Sequence, residues 1–92
     1  MEKRKFRPAE LLRSFELVQQ YGVASSDSWG REYGPIKVSS GIDGYTITLE
    51  NRRASVTVNF HNTLSFSTTD RAALESLHRD IANVSRELNE VA

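Results

Sequence analysis

The sequence predicts a two-layer α+β domain of order α-β-β-β-β-α, a four-stranded antiparallel meander with two helices on one face. Three observations predict it. Apolar residues recur at helical spacing near both ends of the chain, and they alternate with period two in the middle. Three chain reversals agree on which side of the sheet is apolar.

The first helix is predicted over residues 8–21. Pro8 suits a first turn, where its missing N–H has no intrahelical partner. Leu11, Leu12, Phe15 and Val18 form its apolar stripe, Tyr21 extends it, and Gly22 is a C-terminal stop. A loop of about 13 residues is expected next, since Ser25-Ser26-Asp27-Ser28 is polar and Gly30, Gly34 and Pro35 punctuate the rest.

Asp43-Gly44 is a two-residue hairpin signal. Folding about it pairs Ile42 with Tyr45, Ser40 with Ile47 and Val38 with Leu49. A reversal at Asn51-Arg52-Arg53-Ala54 pairs Leu49 with Val56 and Ile47 with Val58. A third, at His61-Asn62-Thr63, pairs Phe60 with Leu64 and Val58 with Phe66. The apolar face then holds Val38, Ile42, Tyr45, Ile47, Leu49, Val56, Val58, Phe60, Leu64 and Phe66. Thr46, Thr48, Glu50, Ser55, Thr57, Asn59, Ser65 and Ser67 take the wet face. The closing helix is capped by Thr69 or Asp70. It carries Leu74, Leu77, Ile81, Val84, Leu88 and Val91, with Glu75–Arg79 and Arg86–Glu90 pairs on its polar side.

The 92 residues make one domain, 1–92, with 1–7 expected to be a flexible basic N-terminus. Without cysteine there is neither a disulfide framework nor thiolate chemistry. Phe6-Arg7-Pro8 stands where a signal peptide would carry its apolar stretch, and no run approaches the ~20 apolar residues of a membrane span. The chain is read as cytoplasmic, with no membrane partner. Basic and acidic residues balance at 12 each, against the basic surplus of a duplex-DNA binder. The balance is uneven along the chain: Met1 to Arg13 holds five basic and two acidic residues, Asp70 to Ala92 three and five.

No phosphate-cradling glycine loop, nucleophile elbow, zinc-protease motif or nucleotide fingerprint is present, so no catalytic, cofactor-binding or metal-binding residue is assigned, and no cofactor. His61 and His78 are two histidines where a metal site needs more ligands. His61 with Asn59 and Asn62 is the minority ligand site. The expected function is that of a small non-enzymatic interaction or accessory protein, a monomer or weak homodimer with an unknown protein partner. Its candidate partner surface is Trp29, Arg31, Glu32 and Tyr33 in the long loop, with Trp29 either plugging the core or anchoring a partner. A dimer would use Leu88 and Val91. The alternative is weak single-stranded nucleic-acid binding by Lys3, Arg4, Lys5 and Arg7 with Arg52 and Arg53 at a hairpin tip. The absence of aromatics at wet-face parity argues against it.

Tyr21-Gly22 at the end of the first helix, Asp43-Gly44-Tyr45-Thr46 at a strand start, and Asn59-Phe60-His61-Asn62 leading to Phe66 resemble a small bacterial family of domains of unknown function. The resemblance spans residues 10–80. It implies a short protein of similar length, and no activity, cofactor or catalytic residue; the Ser-rich loop and the basic N-terminus lie outside its pattern.

Overall fold

The computed structural model describes residues 5–25, 30–41 and 44–91, with Phe60 described in its backbone alone. Helix α1 (Pro8–Tyr21) begins at the proline and ends at Gly22, as its sequence predicts. The glycine is needed for a different reason from the expected one. Its φ is −78°, outside the left-handed region, but a Cβ there would lie 2.6 Å from the Val18 carbonyl oxygen and 2.7 Å from that of Glu32. The helix end and the sheet meet too closely for any side chain. Gly22→Ala should therefore destabilise the fold by about 1–3 kcal/mol through overpacking. Urea unfolding checks this, and an unchanged midpoint would show that the contact relaxes freely.

The meander has six strands among the described residues, in sheet order β1 (Val23–Ala24), β2 (Arg31–Tyr33), β3 (Ile36–Ser40), β4 (Ile47–Glu50), β5 (Ser55–Val58) and β6 (Leu64–Phe66). All neighbours are antiparallel. The four expected strands are β3 to β6. The other two arise within the segment expected to be a loop. Val23 pairs with Glu32 and Ala24 with Arg31, and Tyr33 pairs with Ile36 across Gly34-Pro35. Gly34 holds φ +59°, which a glycine adopts freely and a tight two-residue hairpin exploits. The segment hid its strands because β1 is only two residues long and Arg31-Glu32-Tyr33 has no apolar–polar alternation.

The central register is as predicted: Val38 opposite Leu49, Ser40 opposite Ile47, Leu49 opposite Val56 and Ile47 opposite Val58. The last hairpin differs. Val58 faces Leu64 and Val56 faces Phe66, two residues from the expected register. A 3₁₀ turn at Phe60–Asn62 takes up the difference, closed by Asn62 N–H to the Asn59 carbonyl (3.0 Å) and Asn59 N–H to the Thr63 carbonyl (2.7 Å). His61 and Asn62 both adopt left-handed φ, 68° and 63°. A shift of two preserves side-chain parity, so the apolar face survives it.

Tyr45 does not share that face; it is 69% exposed. The last β3–β4 bond joins Gly41 N–H to the Thr46 carbonyl, so Tyr45 lies in the turn, where strand parity no longer aims side chains. Ile42 lies outside the described residues. The expected wet face is polar as predicted, with register placing Ser39, Thr48, Thr57 and Ser65 in one row across four strands. The Thr48 and Thr57 hydroxyls bond at 2.9 Å.

Both helices cover the apolar face. Helix α2 (Arg71–Val91) starts on Asp70, whose Oδ2 accepts the Ala73 N–H at 3.3 Å. It buries Leu74, Leu77, Ile81, Val84 and Leu88, while Val91 is 65% exposed. In α1 the buried set is Leu11, Ser14, Leu17 and Val18, and Leu12, expected in the stripe, is exposed. The two helices lie side by side and run parallel. Phe6 meets His78, Ser14 meets Ser85 and Arg13 meets Asn89, so position advances together along both. Phe6 itself departs from the expected flexible lead-in. It is 4% exposed and stacks edge-on against Phe66 and His78, with centroids 5.2 Å apart in each pair.

Candidate functional site

Parallel helices joined through small residues leave a furrow above the join. Ser14 sits where α1 faces α2. Its hydroxyl is hydrogen-bonded to that of Ser85, and it lies 3.0 Å from the Glu10 carbonyl, the ordinary back-bond of a helical serine. Ala9 on one bank and Ala82 on the other leave space between the helices, and Arg13 crosses it only toward the C-terminal end of α2, at Asn89. The result is a groove of about 670 Å³, open to solvent, floored by Phe6, Leu11 and Ile81. That volume is within the range of small-ligand and peptide sites.

The banks are charged. Lys5, Arg7, Arg13 and Arg86 contribute four cations, against the carboxylates Glu10 and Glu90. Arg13 reaches across to donate to Asn89 Oδ1 at 3.0 Å, and Arg86 donates to Asn83 Oδ1 at 2.8 Å. Both acceptors are neutral amides, so each guanidinium is oriented without its charge being cancelled. Arg7 Nε lies 3.9 Å from Glu10 Oε2 at an exposed position, a contact of small energetic weight. Arg7 also occupies the N-cap of α1 with no side-chain cap bond, where Ser, Thr, Asp or Asn would stabilise the helix.

A second depression of about 650 Å³ lies where the β2–β3 and β4–β5 turns meet α2. Lys37, Arg52 and Arg53 line it together with Glu32, Glu50 and Asp80, so its charges balance. Asn51 organises this corner. Its Nδ2 donates to Asp80 Oδ2 (2.9 Å) and Ser76 Oγ (3.2 Å), and its Oδ1 accepts the N–H groups of Arg53 and Ala54, both at 2.9 Å.

The described residues of the predicted partner surface are divided between the two sides of β2. Arg31 and Tyr33 point to the helix side of β2 and are half-buried, opposite Val38 and Ile36, and the Arg31 Nε is buried with no hydrogen-bond acceptor. Glu32 points to the other side. Trp29, with the question whether it plugs the core, lies outside the described residues, as do Lys3 and Arg4. Of the basic residues considered for nucleic acid, Lys5 and Arg7 line the inter-helix groove and Arg52 and Arg53 line the other depression. His61 is exposed, and the Asn59 amide donates to Ser65 Oγ at 2.8 Å. Leu88, read as a dimer contact, is buried within its own chain.

Nothing in the sequence marks Arg13, Ala82, Ser85 and Arg86 as site residues, though all four line the groove. Small residues at Ser14 and Ser85 are its only signal, and they acquire meaning once the helices are known to be parallel neighbours. Among the described residues, no group of three or more His, Cys, Asp or Glu is placed to hold a metal ion, and no helix is long and apolar enough to cross a membrane.

A family model described as "Protein of unknown function (DUF3081)" matches residues 6–91, in agreement with the resemblance to a small uncharacterised domain family. No curated protein and no solved structure matches the chain.

Proposed function

We propose, for a chain that belongs to the DUF3081 family, a non-catalytic role: a small accessory domain that holds a partner protein in the groove between α1 and α2. The groove itself carries the reading. It combines an apolar floor with fixed, uncancelled cations on both banks. Recognition surfaces are built this way, with an apolar centre for affinity and charge at the rim for orientation. The depression by Arg52 and Arg53 has balanced charge and no comparable floor.

Site-specific photocrosslinking in the cell of origin tests this. A photoreactive residue at Ala82, in the groove, should give a discrete adduct, and one at Thr57, on the opposite face of the sheet, should not. Equal adducts at both positions, or none at Ala82, would count against the groove. Among the described residues, the basic side chains considered for nucleic acid are divided between two depressions. We expect no submicromolar affinity for a short single strand near ~0.15 M salt, measured by fluorescence anisotropy.

A further inference from the structure

We infer that the groove is shaped and charged for one kind of occupant: an acidic amphipathic helix of a partner protein. The inference rests on the reading of the groove as a docking site and adds what docks there.

Backbone chemistry selects the helix. The walls are themselves helices, whose N–H and C=O groups are bonded internally, so the groove offers an incoming strand no ladder. An extended segment pressed on this floor would leave its own backbone groups without partners. A helix brings its backbone already satisfied and presents only side chains, the helix-in-groove mode of recognition. The length agrees. From His78 to Glu90 the α2 bank runs about 18 Å at 1.5 Å per residue, enough for three turns of guest helix with anchors at i, i+4, i+7 and i+11.

Charge selects the acidic face. Four cations against two carboxylates leave two positive charges over the groove, and Arg13 from α1 and Arg86 from α2 are each held by a neutral amide of α2, Asn89 and Asn83. Arg7 supplies an independent indication. A cation at the positive end of α1, in place of a capping side chain, works against the helix dipole, and its exposed 3.9 Å contact with Glu10 returns little. Local rules broken without structural return mark functional positions.

Other occupants fit less well. An acyl chain in an open furrow would keep one side in water. A second copy of this chain has little to offer, because its helical stripes are buried against its own sheet and only Leu12 and Val91 remain exposed among the large apolar helical residues.

The test uses a synthetic 18-residue helix with Leu at the anchor positions and Glu beside them, and its counterpart with Lys for every Glu. Each is titrated into the full chain and followed by amide chemical shifts. The Glu peptide should bind at least tenfold more tightly than the Lys peptide, with shifts gathered on α1 and α2 and an affinity that falls as salt rises. Arg13→Glu with Arg86→Glu should weaken it at least tenfold, while Arg52→Glu with Arg53→Glu should not. Arg7→Ser should raise the melting temperature and weaken binding, a pair of effects that misfolding cannot produce. Should the charge-reversed pair disturb the fold, Arg13→Gln with Arg86→Gln replaces it and should weaken binding at least threefold. Equal affinity for the two peptides, or tighter binding of the Lys peptide in the same groove, overturns the acidic occupant while leaving the groove a docking site. Binding of neither peptide overturns the helical occupant. Anionic vesicles competing the Glu peptide off, or a dimer in sedimentation that excludes it, assign the groove to a lipid or a second copy and overturn the proposal.

Discussion

Val58→Asp should leave the domain without a folded state. Val58 is 3% exposed, lies between Ile47 of β4 and Leu64 of β6, and faces the helical layer. An aspartate there must enter the core charged or be held protonated, and either costs several kcal/mol without a partner. Domains of this size are stable by only about 5–15 kcal/mol, and the lost packing adds to the charge. The expected result is collapse of amide shift dispersion and loss of near-ultraviolet dichroism. Thr57→Asp is the matched control. It sits one residue away on the opposite side of the sheet and loses one hydroxyl bond to Thr48. It should cost about 1 kcal/mol. A folded Val58→Asp, or two variants equally unstable, would mean that the two faces have been wrongly assigned.

Asn51→Ala should cost about 3 kcal/mol, a large effect for a single polar side chain. The β4–β5 turn places Arg52 and Arg53 at its tip, and neither has the positive φ that favoured two-residue hairpins use. The Asn51 side chain compensates from inside. Its Oδ1 takes the Arg53 and Ala54 N–H groups, and its Nδ2 ties the turn to Ser76 and Asp80 of α2. Such bonds contribute about 0.5–1.5 kcal/mol each, and more toward a carboxylate. Asn51→Asp separates the two halves. It keeps the acceptor for the turn but loses the Nδ2 donor and sets a second carboxylate against Asp80, so it should be destabilised although the turn bonds remain. Urea midpoints for the two variants decide the matter. An alanine variant within about 0.5 kcal/mol of the natural chain would show that the turn holds without its asparagine.

The distinction between what was legible and what was not follows the range of the interactions. Pro8 and Gly22 bracket α1 because their constraints are local, and Val38, Leu49, Val56 and Val58 reveal one face because period-two alternation is a property of the strand itself. The last hairpin slipped by two residues because Asn59 to Thr63 can close in more than one way, and parity is blind to even shifts. Arg31 and Tyr33 read as loop residues because β2 owes its existence to pairing with β3. The groove was the least legible part. It depends on Ser14 finding Ser85, a juxtaposition that belongs to the topology and to no window of sequence.

The parallel helix pair joins elements far apart in the sequence: Ser14 meets Ser85 across 71 positions and Arg13 meets Asn89 across 76. Contacts of such separation are rewarded only after a long loop has been closed, so the docking of α2 is the slow part of folding. Until α2 docks, Leu49, Val56 and Val58 have only one helix above them, and Phe6 lacks the ring of His78. A species with the sheet formed and α2 undocked exposes that apolar surface, the condition under which folding chains aggregate. Refolding yield should therefore fall as protein concentration rises, and a yield independent of concentration would show that sheet and α2 form together.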